Sequence, residues 1–138
     1  MSQVLTQRII GAAIEVHRTL GPGLLEGIYE ECLAYELIRS GIRHERQKRL
    51  AIEYEGRKVS GDLRIDLLVE DRVVLELKSV EKLLPVHGAQ LLSYLRLSGL
   101  SLGLLINFNV PVLKDGIKRV VNNHVVSAPP RLCVEEPQ

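Results

Sequence analysis

Tryptophan is absent from the 138 residues, and phenylalanine occurs once. A platform of several aromatic side chains that stack on bases is therefore not expected. The two cysteines, Cys32 and Cys133, lie far apart in the chain, which argues against a disulfide framework and a zinc framework. No apolar run approaches the length of a membrane span, and the first ten residues lack the pattern of a secretory signal. These absences predict a cytoplasmic protein with reduced thiols.

Neither sign of charge dominates, because 18 Lys and Arg stand against 17 Asp and Glu, for a formal net charge of +1. The chain is therefore not a polycation that binds nucleic acid through bulk charge. Its 46% hydrophobic and 25% charged residues are typical of a soluble globular domain. The length fits one domain, which we expect over residues 1–126, with a flexible tail over 127–138.

Hydrophobic periodicity predicts two helices, three strands, a third helix and two more strands. Short turns join the first three strands, so these should be antiparallel, and a helix before the fourth strand allows a parallel pair. The fold class is therefore α/β with a mixed sheet. The predicted helices cover 4–20, 24–40 and 85–98, and the predicted strands cover 43–53, 59–69, 73–80, 100–108 and 117–126.

The strongest chemical signal lies in the two strands joined by residues 70–72. Alternation predicts that the odd-numbered positions from 59 to 69 share one face, and a three-residue turn would pair position 69 with position 73. Asp66 would then face Glu76, and Arg64 would face Lys78. Two carboxylates and a lysine would thus meet on one side of the sheet.

Two carboxylates directly opposite each other repel, and a divalent cation would remove that repulsion. Mg²⁺ prefers oxygen ligands and takes one or two carboxylates together with water and phosphate. Lys78 could then orient or deprotonate a water, or stabilise charge on a phosphoryl group. The alternative is the solvated face of an ordinary hairpin, with Arg64 or another cation neutralising the carboxylates.

A polar row on the third predicted helix gives a second group of candidates. His87, Gln90 and Tyr94 lie at i, i+3 and i+7, on one face of that helix. The alternative is a half-exposed helix with His87 at its beginning.

Glu26 follows Gly-Pro-Gly at the beginning of the second helix, where it also lies on the border of the buried face with Tyr29. Its alternative role is a favourable interaction with the helix dipole. Glu30 and Glu31 are expected in solvent.

A basic stretch could hold a phosphate backbone, or could protect an edge strand by charge. It consists of Arg39, Arg43, Arg46, Lys48 and Arg49.

Several motifs in a fixed order resemble the GxxExxY protein family, over roughly residues 5–122. The run Gly23-Leu-Leu-Glu26-Gly-Ile-Tyr29 carries the signature that names the family. The resemblance continues through Tyr54-Glu-Gly56, Asp66-Leu-Leu-Val69, Glu76-Leu-Lys78, His87-Gly-Ala-Gln90-Leu-Leu-Ser-Tyr94-Leu, Leu105-Ile-Asn107-Phe108 and Gly116-Ile-Lys-Arg119.

That family is classed with the PD-(D/E)XK nuclease superfamily, so the resemblance implies an αβββαβ, restriction-endonuclease-like core. It also implies that Asp66 and Glu76 are metal ligands, that Glu26 completes the acidic site, and that Lys78 is the catalytic lysine. Gln90 and Tyr94 resemble the QxxxY feature that helps to bind DNA. Ile65 stands where the superfamily's name has a proline.

The resulting hypothesis is an Mg²⁺- or Mn²⁺-dependent nuclease that hydrolyses phosphodiester bonds, of DNA rather than RNA. Its catalytic residues would be Asp66, Glu76, Lys78 and Glu26. The substrate-binding candidates are Gln90, Tyr94, His87 and Arg64. The alternatives are a catalytically silent nucleic-acid-binding module and a protein-interaction module on the same fold. We expect a homodimer and no membrane partner.

Overall fold

The computed structural model describes residues 2–123, and it confirms the predicted order of helices and strands. The predicted tail over 127–138 and the end of the last predicted strand lie outside the described residues. The second helix begins at Glu26 instead of residue 24, and a short 3₁₀ turn, Leu113–Gly116, precedes the last strand. The elements are α1 Ser2–Leu20, α2 Glu26–Arg39, β1 His44–Tyr54, β2 Arg57–Val69, β3 Val73–Lys78, α3 Pro85–Ser98, β4 Leu102–Asn107 and β5 Ile117–Val121.

The five strands form one mixed sheet in the order β1-β2-β3-β4-β5. Neighbouring strands are antiparallel except β3 and β4, which are parallel across the connection through α3. The predicted antiparallel and parallel pairings are therefore confirmed. No helix within residues 2–123 is long and apolar enough to cross a membrane.

Helices cover both faces of the sheet, and each face has its own apolar cluster. The first cluster joins α1 and α2 to the strands, with Ile9 and Leu33 among its fully buried members. The second cluster lies beneath α3 and includes Leu91 and Leu95. Helix α3 approaches β4 closely at Gly103, where an added Cβ atom would lie 2.9 Å from Cδ1 of Leu91.

The pairing between β2 and β3 is much shorter than the sequence predicts. It consists of the pairs 67–75, 68–74 and 69–73, which confirms the predicted register over those positions. The expected cross-strand pairs of Asp66 with Glu76 and of Arg64 with Lys78 do not form. Arg64 keeps its partner on the other edge of β2, Arg49 of β1, but β2 has left β3 before this point.

The prediction that one face of β2 carries all its odd-numbered positions is also wrong. Leu67 and Val69 pack in the first cluster, whereas Ile65 packs in the second cluster beside Leu68. The change occurs around Asp66, beyond which β2 is paired with β1 alone. The backbone is irregular at the same point, since Gln47 of β1, between the partners of residues 67 and 65, has a φ of +50°.

Candidate active site

Asp66 and Glu76 lie side by side where the ladder between β2 and β3 ends. The Leu77 N–H donates a hydrogen bond of 2.8 Å to Oδ2 of Asp66, so a side chain takes the place of the missing backbone partner. The N–H of Asp66 lies 3.4 Å from Oε2 of Glu76. The opening of the sheet thus brings the two carboxylates together, although they are not a ladder pair.

The acidic groups of this site have perturbed protonation. Burial raises the pKa of Glu76 to about 8, the negative charge of Asp66 acts in the same direction, and the Lys78 ammonium acts against both. Burial also raises the pKa of Asp66, the Leu77 N–H opposes the rise, and the charges of Glu30 and Glu26 add to it. A cation bound between Asp66 and Glu76 would relieve this crowding of negative charge.

Lys78 lies two residues beyond Glu76 on β3 and is half-buried. Among the described residues it has no ion-pair partner within 4.0 Å. Its carbonyl accepts a hydrogen bond of 2.9 Å from the N–H of Phe108. Asn107 braces the chain that follows, because its amide bonds to both the N–H and the carbonyl of Val80, at 3.0 and 2.9 Å. The backbone around Lys78 is therefore held on both sides.

The glycine-rich loop before α2 carries Glu26 to the site. The Tyr29 hydroxyl accepts a hydrogen bond from the N–H of Leu24 at 3.1 Å and donates one to the carbonyl of Gly21 at 2.6 Å. The hydroxyl of Ser79 donates to the carbonyl of Leu24 at 2.5 Å. The loop is thus attached to the residue that follows Lys78, so the tyrosine of the signature run has a structural role.

Glu30 is part of this region, and the expectation that it lies in solvent is wrong. The residue is only 7% exposed. Nε of Arg46 donates to it at 3.0 Å, and Nε2 of Gln47 donates to it at 2.8 Å. The signal in the sequence was its spacing, since Glu26 and Glu30 lie at i and i+4 on one helix face.

Helix α3 contributes one predicted residue directly to the site. Burial raises the pKa of the Tyr94 hydroxyl, and the charges of Glu76 and Asp66 raise it further. Gln90 lies one turn earlier on the same helix and is exposed. His87 is used locally, because its Nδ1 accepts a hydrogen bond of 3.0 Å from the N–H of Leu84 and so caps the helix.

Lys118 is a neighbouring cation that the sequence analysis missed. It pairs with Leu105 of β4, which in turn pairs with Glu76 of β3, so these positions form one row across the sheet. A side chain at Gly88 of α3 would lie 3.6 Å from the Lys118 ammonium. Lys118 therefore lies beneath the first turns of the helix that carries Gln90 and Tyr94.

The comparison with protein families agrees with this geometry. A family model for the PD-(D/E)XK nuclease superfamily matches residues 3–120. The chain belongs to this superfamily. No curated protein and no solved structure matches the chain. The mixed five-stranded sheet with helices on both sides is consistent with the restriction-endonuclease-like fold of a PD-(D/E)XK protein.

PD-(D/E)XK nucleases typically use divalent metal ions, so the oxygen donors of this site can be compared with the ligands that such an ion prefers. The described residues hold no group of three or more His, Cys, Asp and Glu arranged to bind a metal. Asp66 and Glu76 nevertheless form a pair of oxygen donors at a point of excess negative charge. Since Mg²⁺ commonly takes one or two carboxylates and completes its shell with water and phosphate, this pair fits it.

The basic stretch of this PD-(D/E)XK protein forms ion pairs at the surface. Each of its five cations has a carboxylate partner, and all five side chains keep a large exposed fraction, so these pairs are weak and the stretch stays a candidate phosphate-binding surface. Arg64, in contrast, has no ion-pair partner among residues 2–123 and is exposed. The pairs are Arg39–Glu36 at 3.6 Å, Arg43–Glu70 at 3.2 Å, Arg46–Glu30 at 3.0 Å, Lys48–Glu45 at 3.0 Å and Arg49–Asp62 at 3.6 Å.

Proposed function

We propose that this protein is a divalent-metal-dependent nuclease that hydrolyses phosphodiester bonds, most of all in DNA. One observation carries the proposal: the Asp66 and Glu76 carboxylates meet where β2 separates from β3, with Lys78 two residues farther along β3. The superfamily of the chain supports the same chemistry. We further propose that the chain is a GxxExxY family member with one domain over residues 1–126.

The proposed roles follow from the placement of each side chain. Asp66 and Glu76 would hold an Mg²⁺ or Mn²⁺ ion, with Glu26 close enough to contribute its charge. Such an ion supplies a water of lowered pKa and neutralises charge on the phosphate. Lys78 has no ion-pair partner in the described part of the chain, so its ammonium can orient the attacking water or stabilise the phosphoryl oxygens.

Substrate binding is proposed on the α3 side of the site. The Tyr94 hydroxyl can donate a hydrogen bond to a phosphate oxygen, since an ordinary tyrosine is protonated at neutral pH and the site raises the pKa of Tyr94 further. Gln90 would contact the same strand from the preceding helix turn. Arg64 and Lys118 are exposed cations that could pair with further phosphates.

The alternative of a silent nucleic-acid-binding module has less support. The basic stretch on which it depends is paired with carboxylates. An acidic cluster beside bound phosphates would weaken binding unless a cation lay between them. The homodimer and the cytoplasmic location stay predictions.

Cleavage assays with single- and double-stranded DNA and RNA, in Mg²⁺ and in Mn²⁺, test the proposal. Asp66→Asn and Lys78→Ala should each lower the cleavage rate by about 10²–10³-fold or more, because the first removes a ligand of the cation and the second removes positive charge at the reacting phosphate. Calorimetry should show that Mn²⁺ binding is lost in Asp66→Asn/Glu76→Gln and kept in Lys78→Ala.

Lys114→Ala is the matched control, since Lys114 is an exposed lysine in the 3₁₀ turn. It should cut at the wild-type rate. Cleavage by Lys78→Ala at the wild-type rate would show that the proposed mechanism is wrong. Absence of cleavage and of Mn²⁺ binding in the wild type, with and without a short oligonucleotide, would contradict the proposed function itself.

A further inference from the structure

Gln47 on β1 lies between two carboxylates of the site. Its Nε2 donates a hydrogen bond of 2.8 Å to Oε1 of Glu30, and the same nitrogen lies 3.5 Å from Oδ1 of Asp66. Glu30 belongs to α2 and Asp66 to β2, so one amide group connects a helix to the strand that carries a proposed metal ligand. Neither the superfamily assignment nor the proposed chemistry gives Gln47 a role.

The backbone of Gln47 is also unusual. Its φ is +50°, in the left-handed region that residues other than glycine seldom occupy, and it lies inside a strand. Such a conformation is strained and persists where surrounding contacts enforce it. Gln47 lies between positions 46 and 48, which pair with residues 67 and 65 of β2, so it stands opposite Asp66. The strained residue therefore occupies the point where β2 turns away from β3.

The contacts of Glu30 fix the direction of the Gln47 amide. Glu30 is nearly fully buried and is neutralised by Nε of Arg46 at 3.0 Å. With a carboxylate oxygen on each side, the amide must present its NH₂ group, because its carbonyl oxygen would face negative charge. The amide therefore cannot turn over without losing its hydrogen bond to Glu30.

Asp66 is consequently held at both of its oxygens. Oδ2 accepts from the Leu77 N–H on one side, and Oδ1 faces the Gln47 amide on the other. We propose that Gln47, oriented by Glu30, is a positioning residue that holds the Asp66 carboxylate in the direction needed to bind the cation. This inference rests on the proposed function, since it assigns Gln47 to the same metal site.

Replacement of Gln47 by leucine tests the inference, because leucine keeps much of the volume and removes the donor. Calorimetry at neutral pH should show Mn²⁺ binding about 10–100-fold weaker in Gln47→Leu, which is typical for the loss of a group that orients a ligand. Gln7→Leu, at an exposed position on α1, is the chemically matched control and should bind like the wild type.

A double variant separates positioning from a purely structural role. If Glu30 acts through Gln47, Glu30→Gln should change Mn²⁺ binding less in Gln47→Leu than in the wild type, because only the direct charge of Glu30 at Asp66 acts in both backgrounds. Additive losses would show that the two residues act independently, and would overturn the proposed connection. The connection would also be overturned if Gln7→Leu lost as much Mn²⁺ affinity and as much thermal stability as Gln47→Leu, because the loss of affinity would then reflect reduced stability alone.

A metal-free crystal structure of Gln47→Leu decides the inference without any metal measurement. The Asp66 carboxylate should leave the Leu77 N–H or adopt more than one direction. An Asp66 side chain that stays in place, with wild-type Mn²⁺ affinity, would overturn the inference and leave the proposed function intact. If the wild type binds no Mn²⁺, the proposed function fails, and the position of Asp66 in this crystal structure still decides whether Gln47 orients it.

Discussion

Strands β3 and β4 form six consecutive parallel pairs, whereas β2 and β3 form only three antiparallel ones. All six residues of β4 are buried, and Glu76 is enclosed on β3 beside them, as a residue that is 6% exposed. Asp66, on the other side of the opening, is half-buried and is held by the Leu77 N–H and the Gln47 amide. Packing between β3 and β4 thus encloses Glu76, whereas hydrogen bonds from β3 and β1 hold the Asp66 carboxylate of β2.

This difference assigns different tasks to the two carboxylates. The dense surroundings of Glu76 fix its position and also disfavour its charge, so its pKa rises to about 8. Asp66 accepts a strong backbone hydrogen bond, which opposes the effect of burial on its own pKa. A cation would therefore find Asp66 the readier donor, and would have to displace the proton from Glu76.

The largest expected effect on stability comes from removing the hydrogen bonds that Asn107 makes at the end of β4. Asn107→Ala should lower the free energy of unfolding by about 2–4 kcal/mol, because it leaves the N–H and carbonyl of Val80 and the N–H of Asn109 without their partner. Urea unfolding measures the loss, and Asn123→Ala, at an exposed position, is the control. A loss below about 1 kcal/mol would show that packing alone holds the chain beyond Lys78.

The next effect concerns the cost of the buried charge on Glu76. Its folded-state pKa of about 8 exceeds its ordinary value of 4.5, so the folded protein keeps a proton that the unfolded chain releases between these values. The stability of the metal-free protein should therefore fall as pH rises from about 4.5 to about 8. Glu76→Gln should remove this loss. Relative to the wild type, the variant should therefore gain more stability at pH 9 than at pH 5. The difference between the two gains should exceed about 1.4 kcal/mol, which corresponds to a tenfold change in proton affinity.

Urea unfolding of the metal-free protein at both pH values checks this prediction. Glu31→Gln is the matched control, because Glu31 is an exposed glutamate on α2. Its effect should be the same at pH 5 and pH 9. If Glu76→Gln also changes stability equally at both pH values, Glu76 titrates as it does in the unfolded chain, and the two carboxylates of the site do not differ in this respect.

The sequence predicts the parts of this architecture that depend on local pattern. Turn length and alternation correctly place residue 69 opposite 73, and residue 67 opposite 75. They fail at Asp66, where its side chain bonds to the Leu77 N–H and Gln47 of the neighbouring strand has a positive φ, and no alternation pattern records either feature. The superfamily resemblance nevertheless selected residues that the fold brings together, Asp66 and Glu76 among them.

Contacts between segments that are far apart in the chain are the other feature that the sequence does not predict. Arg46 and Gln47 reach Glu30 across 16 and 17 positions of the chain, and Arg43 reaches Glu70 across 27. A run of basic residues therefore suggested a phosphate surface, although each member has an acidic partner in the fold. Charge patterns along a sequence do not show which ion pairs the tertiary structure forms.

The smallest expected effect concerns the beginning of α3, which lies over the β3–β4 side of the site. His87→Ala removes the acceptor of the Leu84 N–H, so it should lower the free energy of unfolding by about 1 kcal/mol, as the loss of a helix cap does. The affinity for DNA, measured by fluorescence anisotropy in Ca²⁺, should not change, whereas Gln90→Ala should weaken it without lowering stability. Val86→Ala, at an exposed neighbouring position, should change neither quantity. A tenfold loss of DNA affinity in His87→Ala at unchanged stability would place the imidazole on the substrate instead of on the helix, and would make α3 a binding element from its first turn onward.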